Sequence, residues 1–174
     1  MNDAARAQFE SLYAEHAGRV YRFALRLVGE REAAEDLAAE SLAEAFRQWE
    51  GYRREAAPET WLCAIVLNRW KMRRRKREIP NHSLQEAEAV ADTFRFTDLD
   101  LARAIGALTP ELRAAFLLVK GEGFTHAEAA RAAKVPVGTM YFRVHAAVRR
   151  LREALAPGMA CANPTIEVTC ETEN

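Results

Sequence analysis

Apolar positions recur along this chain at helical intervals, and they predict helices from end to end. Phe9, Leu12, Tyr13, His16, Val20, Phe23 and Leu27 fall at three- and four-residue steps and mark one face of a helix over 5–28. Gly29 follows as its C-terminal cap. A second helix is expected over 32–50, with Leu37, Leu42, Ala45, Phe46 and Trp49 as its apolar stripe and an acidic opposite face. After a loop over 51–58, Thr60 is placed to cap a third helix that buries Trp61, Leu62, Ile65 and Val66. That helix runs into the basic stretch 68–77 and stops at Pro80.

Residues 78–98 are polar and weakly periodic, and read as a linker with transient helix around 84–92. A short helix is expected over 99–108. Thr109, Pro110 and Glu111 then open another as cap, first-turn proline and first-turn acid, with Leu112, Ala115, Phe116 and Val119 facing the core. Gly121 and Gly123 break it. Thr125 and Glu128 fit a capping box at the head of a short helix ending near Ala133. Lys134, Val135 and Pro136 make a turn, and a last helix over 136–155 carries Met140, Val144, Val148, Leu151 and Leu155 along one side. The polar tail reads as loosely ordered.

Composition agrees with an all-helical chain: Ala, Glu, Arg and Leu dominate, and only eight Gly and six Pro occur among 174 residues. The net charge is zero, which by itself argues against a nucleic-acid partner, but the charges are segregated. Residues 30–60 hold nine acids against four bases, 67–77 hold seven bases and no acid, and 131–152 hold six bases and no acid. Separated blocks of this kind suit one surface for a basic partner and another for phosphates. No apolar run is long enough to span a bilayer, and the polar first ten residues do not form a secretion signal, so a cytoplasmic protein is expected. Cys63, Cys161 and Cys170 are too few and scattered for a disulfide framework.

Residues 125–150 have the layout of a helix-turn-helix: a short capped helix, a tight turn and a longer basic helix. Ala129 and Ala130 are small enough to let the two helices approach closely. Thr139, Tyr141, Phe142, Arg143, His145, Ala146 and Arg149 are then on the outward face, with Arg143, Arg149 and Arg150 suited to phosphates or guanine edges. An ordinary helical hairpin with a solvated basic face fits the same pattern.

The residues also carry a resemblance. Thr125, Glu128, Ala129 and Ala130, then 135–139, then 149–155 resemble region 4 of the extracytoplasmic-function sigma factors of bacterial RNA polymerase. The stretch 34–40 with Phe46 and Trp49 resembles region 2.2 of that family. Thr60, Trp61, Leu62 and Ile65, followed by Asn68 and the basic run, resemble regions 2.3 and 2.4. The matches cover roughly 9–77 and 101–155 in family order. The resemblance implies an all-α chain of two small helical domains: region 2 over 5–78, a linker over 79–98, region 4 over 99–156, and a flexible tail over 157–174.

It also implies roles. Asp36, Glu40, Glu44 and Gln48 would dock on the β′ coiled coil of core RNA polymerase. Asn68, Arg69, Lys71, Arg73, Arg74, Arg75 and Arg77 would open and read the minus-ten element, with Tyr52, Arg53 and Arg54 in the loop that receives a flipped-out base. Thr139, Tyr141, Phe142, Arg143, His145 and Arg149 would read the minus-thirty-five element, and region 4 would touch the β flap. An anti-sigma factor is the implied regulator, one that can hold the protein at the inner membrane. No cofactor is implied. Three departures stand out. Tyr141 and Phe142 occupy places where many members have a basic residue and Ser, Ala146 a place often basic, and Lys134 the place of a turn glycine. Either aromatic ring can contact thymine methyls, or one packs on the first helix while Thr139, Arg143 and His145 carry the base code.

Two other classes remain for comparison. A stand-alone helix-turn-helix regulator would leave the acidic motif and the Asn68 segment without a purpose. An enzyme would need a His, Asp, Ser or metal-ligand constellation, and His16, His82, His126 and His145 have no such spacing. Cys161 and Cys170, with eight residues between them, make a poor metal site.

Overall fold

A computed structural model describes residues 3–76 and 99–156. The linker 79–98, the tail 157–174, Arg77, Cys161 and Cys170 lie outside the described residues. The described residues form seven α-helices: α1 (Asp3–Val28), α2 (Arg31–Gln48), α3 (Pro58–Arg75), α4 (Leu99–Ala107), α5 (Pro110–Phe116), α6 (His126–Ala133) and α7 (Val137–Leu155). No strand occurs among the described residues.

The helix ends follow local chemistry. Gly29 takes φ 80 and donates its N–H to the Leu25 carbonyl at 2.7 Å, which closes α1 as expected. The second helix ends earlier than its pattern suggests, at Gln48, and tightens into a 3₁₀ turn over Trp49–Gly51. At the third helix Thr60 is not the cap. Ala57 holds that position, Pro58 begins the helix, and Thr60 is buried in the first turn. Proline's fixed φ and missing N–H suit the first turn, so it outcompetes the hydroxyl two residues later. Thr109 does sit at the cap of α5, but its side chain makes no capping bond.

Past α5 the chain widens into a π turn over Leu117–Gly121, in which the Glu122 N–H reaches the Leu117 carbonyl at 2.8 Å. Gly123, at φ 77, then turns the chain. The capping box of α6 is complete: the Glu128 N–H donates to Thr125 Oγ1 at 3.2 Å, and the Thr125 N–H to Glu128 Oε2 at 2.9 Å. Lys134 ends α6 in the left-handed region, with φ 55 and ψ 51. A lysine Cβ is strained there, so Lys134→Gly should raise stability by about 0.5–1 kcal/mol after the entropy of the freer unfolded glycine is counted. A urea midpoint that fails to rise at constant m would contradict this.

Two groups of helices share one continuous core. In the first, α1, α2 and α3 close around Phe23, Leu27, Leu37 and Leu67. In the second, α4, α5 and α6 surround α7 and bury Ile105, Leu117, Leu118 and Met140. The groups meet where α3 packs on α6, so the basic end of α3 lies beside the helix-turn-helix. Two expected core positions are outside it: Tyr13 is 49% exposed and Phe46 is 42% exposed. The buried wedge of α1 and α2 is narrower than their apolar stripes. Phe46 still meets Phe9 edge-on, at 5.1 Å between ring centres.

Candidate nucleic-acid interface

Helix α3 is buried through Leu62, Cys63, Ile65, Val66, Leu67 and Trp70, and this burial aims its basic residues outward. Several do not stand free. Arg69 donates to Glu44 at 2.5 Å and Arg73 pairs with Glu40 at 2.7 Å, so two acids of α2 are bound to two bases of α3. Glu44 also accepts from Arg47 and Gln48, and these three hydrogen bonds hold its carboxyl at about 2. The Arg73 bond lowers Glu40 as well. Asp36 and Gln48 are exposed on the same helix. Burial raises the Cys63 thiol, which leaves it protonated and unreactive.

Arg74 lies over the Trp70 ring at 5.2 Å and within 3.8 Å of Glu111. Arg75 is exposed and Asn68 half-buried. Trp70 is itself buried, which removes it as a surface for stacking bases. Ahead of α3, Trp61 stacks on Tyr52 at 4.5 Å and Tyr52 on Trp49 at 5.6 Å. The Tyr52 hydroxyl donates to the Ala56 carbonyl, which fixes the loop. Arg53 and Arg54 are exposed on that loop, with Arg54 left-handed at φ 57. A cavity of about 510 Å³ opens beside them, lined by Trp49, Tyr52, Arg54 and His16.

The second candidate surface is α7. Tyr141 and Phe142 are 57% and 72% exposed. His145 and Arg149 are exposed, Thr139 and Arg143 half-buried, and Arg149 is 3.8 Å from Glu153. Ala146 packs against the core rather than facing outward. The Tyr141 ring lies flat on His126 of α6, with ring centres 3.9 Å apart and planes 8° from parallel.

The two surfaces converge. Lys71 donates to the Ala133 carbonyl at 2.7 Å, and a cleft of about 680 Å³ is lined by Asn68, Lys71, Arg74 and Arg75 together with Lys134 and Arg143. Burial lowers the Lys71 ammonium, and Arg143, Lys134 and Arg75 lower it further. The candidates for the two promoter elements thus share one electropositive cleft.

Polar bonds hold this seam shut, and sequence reasoning missed the residues that make them. The Glu122 side chain is buried after the π turn. It accepts from Arg19 Nε at 2.7 Å and Arg26 at 2.9 Å, while Arg19 also donates to the Glu122 carbonyl at 2.9 Å. Burial works against the charge of both arginines. The Glu122 bond more than offsets it at Arg19, but at Arg26 the net shift remains downward. Arg113, buried in α5, donates to the Leu27 carbonyl at 2.9 Å, the Leu108 carbonyl at 3.4 Å and the Gly106 carbonyl. One signal was present: Arg26 stands between Leu25 and Leu27 in an apolar run, seven residues after Arg19 and so on the same helical face.

Comparison with known proteins gives concordant matches. The family model for Sigma-70 region 2 matches residues 12–78, and that for Sigma-70 region 4 matches residues 98–151. The chain is 34% identical over 166 residues to the ECF RNA polymerase sigma factor SigE of Mycolicibacterium smegmatis, covering 89% of this chain and 64% of that protein, which is less than two thirds of its length. It is 31% identical over 153 residues to the ECF RNA polymerase sigma factor SigM of Mycobacterium tuberculosis, covering 86% of this chain and 78% of that one. In fold it is similar to the sigma factor RpoE from Bartonella quintana, solved with the anti-sigma factor NepR, with a TM-score of 0.70, 24% identity, and 85% and 96% of the two chains covered. It is likewise similar to CnrH, solved with the cytosolic domain of CnrY, with a TM-score of 0.62, 21% identity, and 86% and 88% covered.

Proposed function

The chain belongs to the extracytoplasmic-function sigma factors, and from that membership we propose that it binds core RNA polymerase and directs it to promoters through minus-ten and minus-thirty-five elements. Sigma factors are initiation factors and not enzymes. The observation that carries this reading is the order on one chain of the basic end of α3, with Asn68 at its head, and a capped helix-turn-helix. Region 2 is assigned to 5–78, the linker to 79–98, region 4 to 99–156 and the tail to 157–174.

Asp36, Glu40, Glu44 and Gln48 form the polymerase-facing side of α2. Glu40 pairs with Arg73 and Glu44 with Arg69, and their carboxylate side chains stay 50% and 22% exposed, so a basic partner can reach them. Asn68, Arg69, Lys71, Arg73, Arg74, Arg75 and Arg77 follow the minus-ten strand, and Tyr52 and Arg54, with Arg53 between them on the loop, border the cavity for an unstacked base. Thr139, Tyr141, Phe142, Arg143, His145 and Arg149 face the minus-thirty-five major groove. The elements lie about 25 base pairs apart, roughly 85 Å of duplex at about 3.4 Å per pair. Residues lining one cleft do not reach both, so the seam between α3 and α6 opens before promoter binding. An anti-sigma factor is the expected partner of the closed chain, by likeness in fold to a sigma factor solved with one. Among the described residues no helix is long and apolar enough to cross a membrane. A cytoplasmic location is proposed, with any membrane tether supplied by the anti-sigma partner.

The test is transcription in vitro with purified core polymerase on a promoter-fragment library, with and without this protein. Initiation at defined sites only when the protein is present is expected. Duplex binding without polymerase, and no initiation, would make it a stand-alone regulator.

A further inference from the structure

The first two turns of α7, from Val137 to Phe142, hold no Lys, Arg, Asp or Glu, although they form the end of a recognition helix that meets base edges. Among the described residues six large apolar side chains are exposed, and three of them, Val137, Tyr141 and Phe142, lie in these turns. Single exposed apolar residues are ordinary, but three within six positions make a patch. The patch is also held in place. His126 lies flat against Tyr141 at 3.9 Å, and His126 is itself fixed at the first position of a helix with a complete capping box. Phe142, the next residue, projects with 72% of its surface exposed. Among base edges in the major groove, the thymine C5-methyl group is the one recognised by apolar contact.

We propose that α7 reads its upstream element through thymine methyl groups, with Phe142 and the Tyr141 ring as the contact surface and His126 as the residue that positions Tyr141. The proposal rests on the sigma-factor reading and specifies its ligand at that site. It sets the aromatic pair, ahead of Arg143 and His145, as the source of base discrimination. The basic residues that follow on α7 supply sequence-independent phosphate attraction.

Replacing thymine by uracil removes the methyl group and leaves pairing intact, so it isolates the contact. Holoenzyme reconstituted from core polymerase and the full chain selects active promoters from a pool randomised across the upstream element. Each thymine of that element is then replaced singly by uracil. Wild type should lose roughly three- to fivefold in initiation at one or more of these positions, the size of one methyl contact. Phe142→Ala, at an exposed site where folding is not at stake, should abolish the difference at its position, and His126→Ala should shrink it at another while leaving Phe142's intact. Equal use of thymine and uracil at every position by an active wild-type holoenzyme overturns the proposal and leaves the sigma reading standing. Phe142→Ala that loses affinity for core polymerase, with thymine preference unchanged, overturns it in favour of a polymerase contact. A wild-type protein that supports no initiation on any fragment sinks the sigma reading and this proposal with it.

Discussion

Glu122→Ala should loosen the seam between α1–α3 and α4–α7 by about 3 kcal/mol, the low end for breaking a buried pair, because it removes the carboxylate shared by buried Arg26 and by Arg19, which is 32% exposed. The Glu122 side chain is 3% exposed, and Arg26 opposite it 8%. At that burial the loss of a carboxylate in direct contact with the Arg26 guanidinium costs more than an exposed pair would. Each helix group keeps its own apolar interior, so the expected result is separation with helicity retained. Small-angle scattering would show a larger radius of gyration at unchanged far-ultraviolet circular dichroism. Glu122→Gln keeps the size and one acceptor oxygen, and is expected to recover part of the loss. An unchanged radius for Glu122→Ala would show that apolar packing alone holds the closed form.

Arg113→Ala should lower global stability by about 3–5 kcal/mol, a value reached only when a buried polar network and side-chain volume are lost together. Arg113 is 5% exposed and binds the carbonyls of Leu27, Gly106 and Leu108, and among the described residues it makes no salt bridge. Burial, and then the neighbouring Arg74, lower its guanidinium to about 10, so it stays charged near neutrality and relies on those carbonyls for compensation. Its Nε is buried without a protein hydrogen-bond partner. Arg113→Met should cost less than Arg113→Ala, since it restores volume but leaves the three carbonyls unsatisfied. Urea unfolding decides it: equal midpoints for the two variants would mean that volume contributes little.

The residues that define helices were legible because their signals are local. The capping box at Thr125 and Glu128, the Gly29 terminus and the Pro110 start each need only a few neighbouring residues, and all three formed. The left-handed strain at Lys134 was legible too, from a lysine standing where a turn glycine is usual. Thr60 misled because Pro58, two residues earlier, is the stronger start. Tyr13 and Phe46 misled because periodicity gives a face but not the width that a neighbour covers. Of the seam, only the placing of Arg19 and Arg26 on one face of α1 was legible, and their partner was not. Glu122 lies 103 residues from Arg19 and 96 from Arg26, and no local pattern joins them. The sequence allows either Tyr141 or Phe142 to pack on α6 or to contact bases. The structure gives Tyr141 a packed face on α6 and leaves 57% of the residue exposed.

The bonds from Arg73 to Glu40 and from Arg69 to Glu44 tie the acidic side of α2 to the basic side of α3. Whatever positive surface takes up those carboxylates releases two guanidinium groups toward phosphate, and phosphate that captures the arginines releases the carboxylates in turn. Occupancy of one face therefore strengthens the other, and linkage requires the gain to be the same in both directions. With the acidic side of α2 proposed as the polymerase face and the basic side of α3 as the promoter face, the two partners would act as each other's effectors, with four side chains as the exchangeable link.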